Sequence, residues 1–196
     1  NLQDQIIDEY EDASGIDASA STNENLSSGV YNGTSLVTSN PTGATSTDTS
    51  VSGYRIEVLS AASGSLVIPS SANVTMLVVA GGGSGAGGSS GFPGGGGAGG
   101  LIYKATHAVT AQTYAWVTGA GGAAQSGTGV GNTGADSTWT DASANVEFTA
   151  KGGGGGGSGS SDNAGDGGSG GGTGYGSHPG GSSTQSGEAG DSGTYG

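Results

Sequence analysis

The chain has 196 residues, of which 47 are Gly and none is Cys, and its 16 carboxylates against three Lys and Arg leave a net charge of −13. Nucleic acids and anionic membrane surfaces are gripped through basic patches, so this charge argues against both as partners. Only 31% of the residues are hydrophobic, which argues against one large conventional core.

The chain opens on Asn-Leu-Gln-Asp, without Met, a basic n-region or an apolar h-region. The expectation is a processed product or a piece of a longer chain, without a signal peptide. No apolar stretch approaches the ~18 residues of a membrane-spanning helix, so membrane insertion is not expected. Residues 1–16 form the first expected unit. Leu2, Ile6 and Tyr10 recur at helical spacing with Ile7 beside them, and Gly15 can stop the helix. A helix this short is unstable alone, so its apolar stripe is predicted to meet the same helix in other copies, as in a homotrimer. Its carboxylates Asp4, Asp8, Glu9, Glu11 and Asp12 read as a solvated face.

Residues 17–53 are rich in Ser, Thr, Asn and Gly and read as an extended linker, with "NPTGATSTDTSVSG" as loop. From residue 54 to the end the chain reads as a β-sandwich with a glycine-rich domain. Seven short strand candidates succeed one another: "YRIEVLS", "GSLVIPS", "NVTMLVVA", "GLIYKATHAV", "QTYAWVTGAG", "DSTWTD" and "NVEFTAKG". Short strands with frequent turn signals and no intervening helix predict a mainly β, antiparallel sandwich. Tyr103, Tyr114, Trp116, Trp139 and Phe148 are its expected core aromatics.

Glycine spreads unevenly, with six of the 47 before residue 81. "MLVVAGGGSGAGG" contains the G-x-G-x-x-G of a dinucleotide grip at Gly83, Gly85 and Gly88. That grip needs a helix after its third glycine and an acidic residue about 20 positions on. "SSGFPGGGGAGG" cannot be a helix, and the next acidic residue is Asp136, so the nucleotide reading fails. The glycines keep a period of three instead. Gly82, Gly85, Gly88, Gly91, Gly94, Gly97 and Gly100 form one series, and Gly153, Gly156, Gly159, Gly165, Gly168, Gly171, Gly174 and Gly180 another. The end repeats it at Gly187, Gly190, Gly193 and Gly196. Three residues per turn is polyproline-II geometry, whose backbone groups must bond to neighbours of the same kind. Four prolines are too few for collagen, so polyglycine-II-type helices packed side by side are expected. In the first segment the stripe Gly85, Gly88, Gly91, Gly94 and Gly97 should face neighbours. Ser84, Ala86, Ser89, Ser90 and Phe92 should lie off that stripe or at its margins.

The succession "VTMLVVAGGGSGAGG", "GGGGAGGLIYKA", "TYAWVTGAGGAAQSGTGVGNTGADSTW" and "VEFTAKGGGGGG" resembles the glycine-rich domain of bacteriophage tail-fibre and minor tail proteins over residues 64–181. The opening "DEYEDASGIDASASTNE" also looks like segments of marine phage virion proteins. In some tail-fibre tip adhesins of this kind, glycine-rich segments pack as polyglycine-II helices and exposed loops contact the receptor. The resemblance therefore implies a structural virion protein, a tail or fibre component that contributes to host attachment. Its partners would be other tail proteins and a host surface glycan or protein. The rival expectation is a secreted or cell-surface filament subunit, or an ice-binding polyglycine bundle.

Chemistry is sparse. His107 and His178 are the only imidazoles and share no metal-ligand spacing, and no serine sits in a nucleophile elbow. No enzyme activity, cofactor or metal is expected. The large side chains set among Gly and Ser are Phe92, Tyr175, His178 and Tyr195, and they are the candidate receptor contacts. The oligomerisation candidates remain Leu2, Ile6, Ile7 and Tyr10. Deleting residues 1–16 should lower the native mass from trimer to monomer, read by light scattering; an unchanged mass would place self-association elsewhere.

Overall fold

The computed structural model describes residues 46–48, 50, 55–88, 92–159, 162–175, 178–186 and 193–195. The expected helix with Leu2, Ile6, Ile7 and Tyr10 lies outside them, as does most of the 17–53 stretch. In chain order the strands among the described residues are β1 (Ser46–Asp48), β2 (Ile56–Val58), β3 (Ser63–Ile68), β4 (Ala72–Val79), β5 (Leu101–Val109), β6 (Gln112–Val117), β7 (Ser137–Thr140), β8 (Val146–Ala150) and β9 (Gly193–Tyr195). The seven sequence candidates match β2 to β8 in order, with β3 and β4 each starting one residue earlier than the sequence reading, and no helix occurs among the described residues. β1 falls in the stretch read as loop. Its Ser-Thr-Asp has no apolar alternation to announce a strand, and pairing with β2 supplies the order.

Every pairing between strands is antiparallel. One sheet runs β3-β6-β7-β8 and a second β4-β5-β9, with β1-β2 as a separate pair. Alternation decides what faces inward. In β4, Ala72, Val74, Met76 and Val78 are half-buried while Asn73, Thr75, Leu77 and Val79 are exposed. Ile68, Ile102, Val109, Tyr114, Trp116, Trp139, Phe148 and Ala150 join Ala80 in one buried cluster drawn from both larger sheets. Trp116 and Trp139 are direct cross-strand partners, and Tyr114 stacks on Trp139 at 5.0 Å between centroids. The buried Tyr114 hydroxyl accepts from the Thr110 N–H and from Gln112 Nε2, so its burial leaves no unpaired oxygen.

Tyr103 departs from the expected core. It points outward because its neighbours Ile102 and Lys104 take the inward positions of β5. The Lys104 stem is buried and its ammonium lies 5.2 Å over the Phe148 ring centroid, a cation–π arrangement. Beyond Lys104 the register shifts: Val74 pairs with His107 but Met76 with Lys104. The extra residue on β5 changes the inward phase, so that His107 and Val109 turn towards the interior in place of Ala108.

The glycine segments continue from the sheets as runs joined by backbone hydrogen bonds at every third residue. Ala80, Gly83 and Ala86 donate to Gly100, Gly97 and Gly94, which makes 80–88 and 92–100 antiparallel neighbours. Gly81, Ser84 and Gly87 donate to Ala135, Asn132 and Gly129. Gly94, Gly97 and Gly100 in turn donate to Gly157, Gly154 and Lys151 at 2.9, 2.7 and 2.7 Å. The run 151–159 is the centre of this array. It donates to 81–84 and to 169–172, and accepts from 94–100, 131–134 and 165–168.

Gly152 to Gly157 are all buried. A Cβ at Gly152 or Gly155 would overlap the backbone of Gly134 or Gly131, one at Gly153 or Gly156 that of Gly97 or Gly94, and one at Gly154 that of Gly165. Three faces of the run are thus closed in turn, and only Gly fits on any of them. A six-glycine stretch without phase information in the sequence is the most tightly surrounded segment of the array.

The expected stripe holds in one half of the first segment and fails in the other. A Cβ at Gly94 or Gly97 would overlap a neighbouring backbone. At Gly82 and Gly85 it would make an ordinary 3.5 Å contact, and at Gly88 it would meet nothing within 4 Å. The closed positions in 80–88 are Gly81, Gly83 and Gly87. The reason is the antiparallel fold-back: 80–88 and 92–100 are separate runs with different neighbours, so no single phase spans both. Gly91, Ser89 and Ser90 lie outside the described residues.

Gly153→Ala should force 151–159 away from Gly97 and disturb the Gly153–Gly81 and Gly134–Gly153 bonds. Leaving one or two buried backbone groups unpaired costs about 1–3 kcal/mol each. Gly95→Ala meets open space and should change stability by less than about 0.5 kcal/mol. Thermal melts at equal protein concentration compare them, and equal melting temperatures would contradict the close approach.

Candidate functional site

The strands aim the array. β4 ends at Val79 and continues into 80–88, β5 begins where 92–100 ends, β6 leads into 119–123, 129–135 returns to β7, and β8 leads into 151–159. Ser137 ties three of these exits together. Its Oγ accepts from the Gly119 N–H at 2.8 Å and donates to the Val79 carbonyl at 2.7 Å. With one end held at the sheets, the successive rungs count outward. The ladder between 169–175 and 92–98 starts at Ser169–Ala98, passes Gly172–Gly95 and reaches Tyr175–Phe92, where the Tyr175 N–H donates to the Phe92 carbonyl at 3.0 Å.

Phe92 and Tyr175, 83 positions apart in the sequence, therefore meet at the end of the array remote from the sheets. Their rings lie 5.6 Å apart at 48°, and the residues are 73% and 68% exposed. Pro93 and Thr173 beside them are exposed as well. The run 151–159 reaches the residue before Tyr175: a Cβ at Gly174 would fall 2.8 Å from Gly159. There the Ser158 hydroxyl donates to Asp162 Oδ2 at 2.6 Å.

The other two sequence candidates are not brought to this pair. His178 lies past Gly176 and Ser177, which are outside the described residues, and it is half-buried. Tyr195 belongs to β9, opposite Leu101 at the sheet end of the array. In the sequence all four are interruptions of glycine runs, a signal that does not say which end of a run an interruption occupies. His107 has a partner that the sequence does not suggest: its Nε2 lies 3.0 Å from Glu147 Oε2, with the ring edge-on to Phe148 at 4.7 Å. Among the described residues no group of three or more His, Cys, Asp and Glu could hold a metal ion.

A polar clasp at the sheet end fixes the central run. Asp136 Oδ1 accepts from the Gly152 N–H and Oδ2 from Lys151 Nζ, both at 2.8 Å. Gln185 Oε1 accepts from the Lys151 N–H at 2.8 Å. The sequence signals none of the three contacts, because the partners are 15 to 34 positions apart and none is unusual in type. Partial burial works to raise the Asp136 pKa, but the hydrogen bonds from Lys151 and Gly152 and the lysine's charge outweigh it and hold the carboxyl below its ordinary value.

A family model described as a glycine-rich domain matches residues 57–196, which include β3 to β9 and the whole array, and the chain belongs to that family. No curated protein and no solved structure matches it.

Because the folded pKa of Asp136 is depressed, its contribution to stability is present above the unfolded value of ~3.9 and fades as pH falls through the lower folded value. Asp136→Asn removes that dependence. The melting-temperature gap between parent and Asp136→Asn should be full at pH 7 and shrink below about pH 4. A gap that stays constant down to about pH 2 would mean the clasp does not depend on the charge.

Proposed function

We propose that this glycine-rich domain protein is a structural component of a phage tail or fibre, and that the end of its array carrying Phe92 and Tyr175 contacts the host cell. The observation that carries the reading is the exposed aromatic pair set at the far end of a backbone-bonded scaffold. Binding residues concentrate on turns that a rigid framework holds in place, and two exposed rings offer large contact area at low entropy cost. The likeness of residues 64–181 to tail-fibre and minor tail domains supports the same reading. Within it, the runs are polyglycine-II-type helices, which accords with the three-residue spacing of their rungs. The two larger sheets stack as a sandwich over their common core. Self-association as a homotrimer and docking to other tail proteins complete the proposal, with the virion as its location.

A secreted or cell-surface filament subunit would use the same array differently, growing by addition of copies along its sides. Native mass separates the two, since a closed trimer suits the fibre and an open polymer the filament.

The test uses adhesion. Phe92→Ala/Tyr175→Ala removes two exposed rings and should change stability by no more than about 0.5–1 kcal/mol. It should abolish binding of the protein to host cells, measured by pull-down of labelled protein. Full binding by the folded double variant would refute this role for the array's end.

A further inference from the structure

We infer that the Phe92–Tyr175 pair is a platform for an uncharged hexose of a cell-surface glycan. This rests on the adhesion reading above and names the ligand class of the same site. Three features at the end of the array point to it.

The first is size. A stable protein interface buries ~800 Å² on each partner, whereas two aromatic side chains supply at most about 150–250 Å² each. Among the described residues of 92–98 and 169–175 the large apolar side chains are these two rings, the other positions being Pro, Gly, Ala, Ser and Thr. That area suits one or two sugar rings, whose C–H faces pack on the electron-rich face of an aromatic ring while their hydroxyls stay in water.

The second is access. Gly172–Gly95 is the rung next to Tyr175–Phe92, and both glycines are exposed. A Cβ at Gly95 would meet nothing within 4 Å. A strip free of side chains therefore runs up to the rings, where a flat ligand can approach the backbone closely. Thr173 stands exposed on the same run and adds a hydroxyl able to donate or accept.

The third is charge. The chain carries −13 overall, and Asp162 is held by Ser158, whose backbone would lie 2.9 Å from a Cβ at Gly174, the residue before Tyr175. Such a field repels phosphorylated, sulfated or sialylated glycans, whereas an uncharged hexose carries nothing for it to repel.

The experiment has two arms. In the first, saturation-transfer NMR is run on the full chain with uncharged hexose oligosaccharides of glucose, galactose and mannose, and with heparin oligosaccharides as the anionic comparison. Transfer to at least one uncharged sugar and none to heparin is expected. Phe92→Ala or Tyr175→Ala should each weaken binding by roughly tenfold, while Tyr175→Phe, which keeps the ring, should stay within about threefold. In the second arm, adhesion is measured after host cells are treated with periodate, which cleaves sugar diols, or with protease. Loss after periodate and retention after protease supports the inference. Binding of heparin alone, or sugar binding indifferent to both Ala variants, overturns it. Ring-dependent adhesion that protease abolishes and periodate spares also overturns the sugar assignment, while leaving the adhesion reading intact. Ring-independent adhesion overturns both.

Discussion

Two polypeptide backbones can exchange hydrogen bonds along their length only where no Cβ stands between them, and this protein meets that condition without a β-ladder across its glycine array. The central run 151–159 bears the consequences most fully. Its backbone bonds reach five surrounding runs, and each residue from Gly152 to Gly156 presses against a neighbouring carbonyl. A buried segment made wholly of Gly brings almost no hydrophobic surface, so its order depends on these bonds being complete. Glycine also loses more backbone freedom on folding than other residues. The array is consequently an all-or-none arrangement, in which one side chain in the wrong place disturbs two runs at once.

Such an array needs something to start it in register. The two larger sheets do this by ordinary means, with alternating strands and an aromatic cluster of Tyr114, Trp116, Trp139 and Phe148. Because strands of both sheets continue directly into glycine runs, the spacing and direction of the runs are inherited from strand pairing. Ser137 and the Asp136–Lys151–Gln185 clasp sit at this transition. Polar side chains are concentrated there because the β-ladder has ended and the three-residue rungs have only begun, leaving backbone groups such as the Gly119, Lys151 and Gly152 N–H in need of acceptors.

The same division separates the hydrophobic cluster at the sheets from the exposed aromatic pair at the other end of the array. The Tyr175–Phe92 rung is the last of its ladder among the described residues, and both of its side chains are exposed. Gly95, in the next rung, has room for a side chain, whereas Gly152 to Gly156 of the central run have none. Exposed apolar residues elsewhere, such as Leu77 and Val79 on the outer face of β4, lie on the sheets rather than at this end.

Much of the framework is legible from the residues alone. Strand positions come from period-two alternation and turn signals, and a period of three in the glycines announces that their backbones bond to one another. Four of the five expected core aromatics are buried. Tyr103 is the exception because composition cannot reveal that Ile102 and Lys104 hold the inward phase, nor that a bulge resets it before His107. Residues that stand out against glycine are visible as a set, but not their places: Phe92 and Tyr175 meet, while Tyr195 returns to the sheet beside Leu101. The period of the pattern is a local property, set by backbone geometry, and a sequence carries it. Which run lies beside which, and which face is closed, depends on where the chain folds back. Only the three-dimensional arrangement decides that, since every glycine run offers the same donors and acceptors to every other.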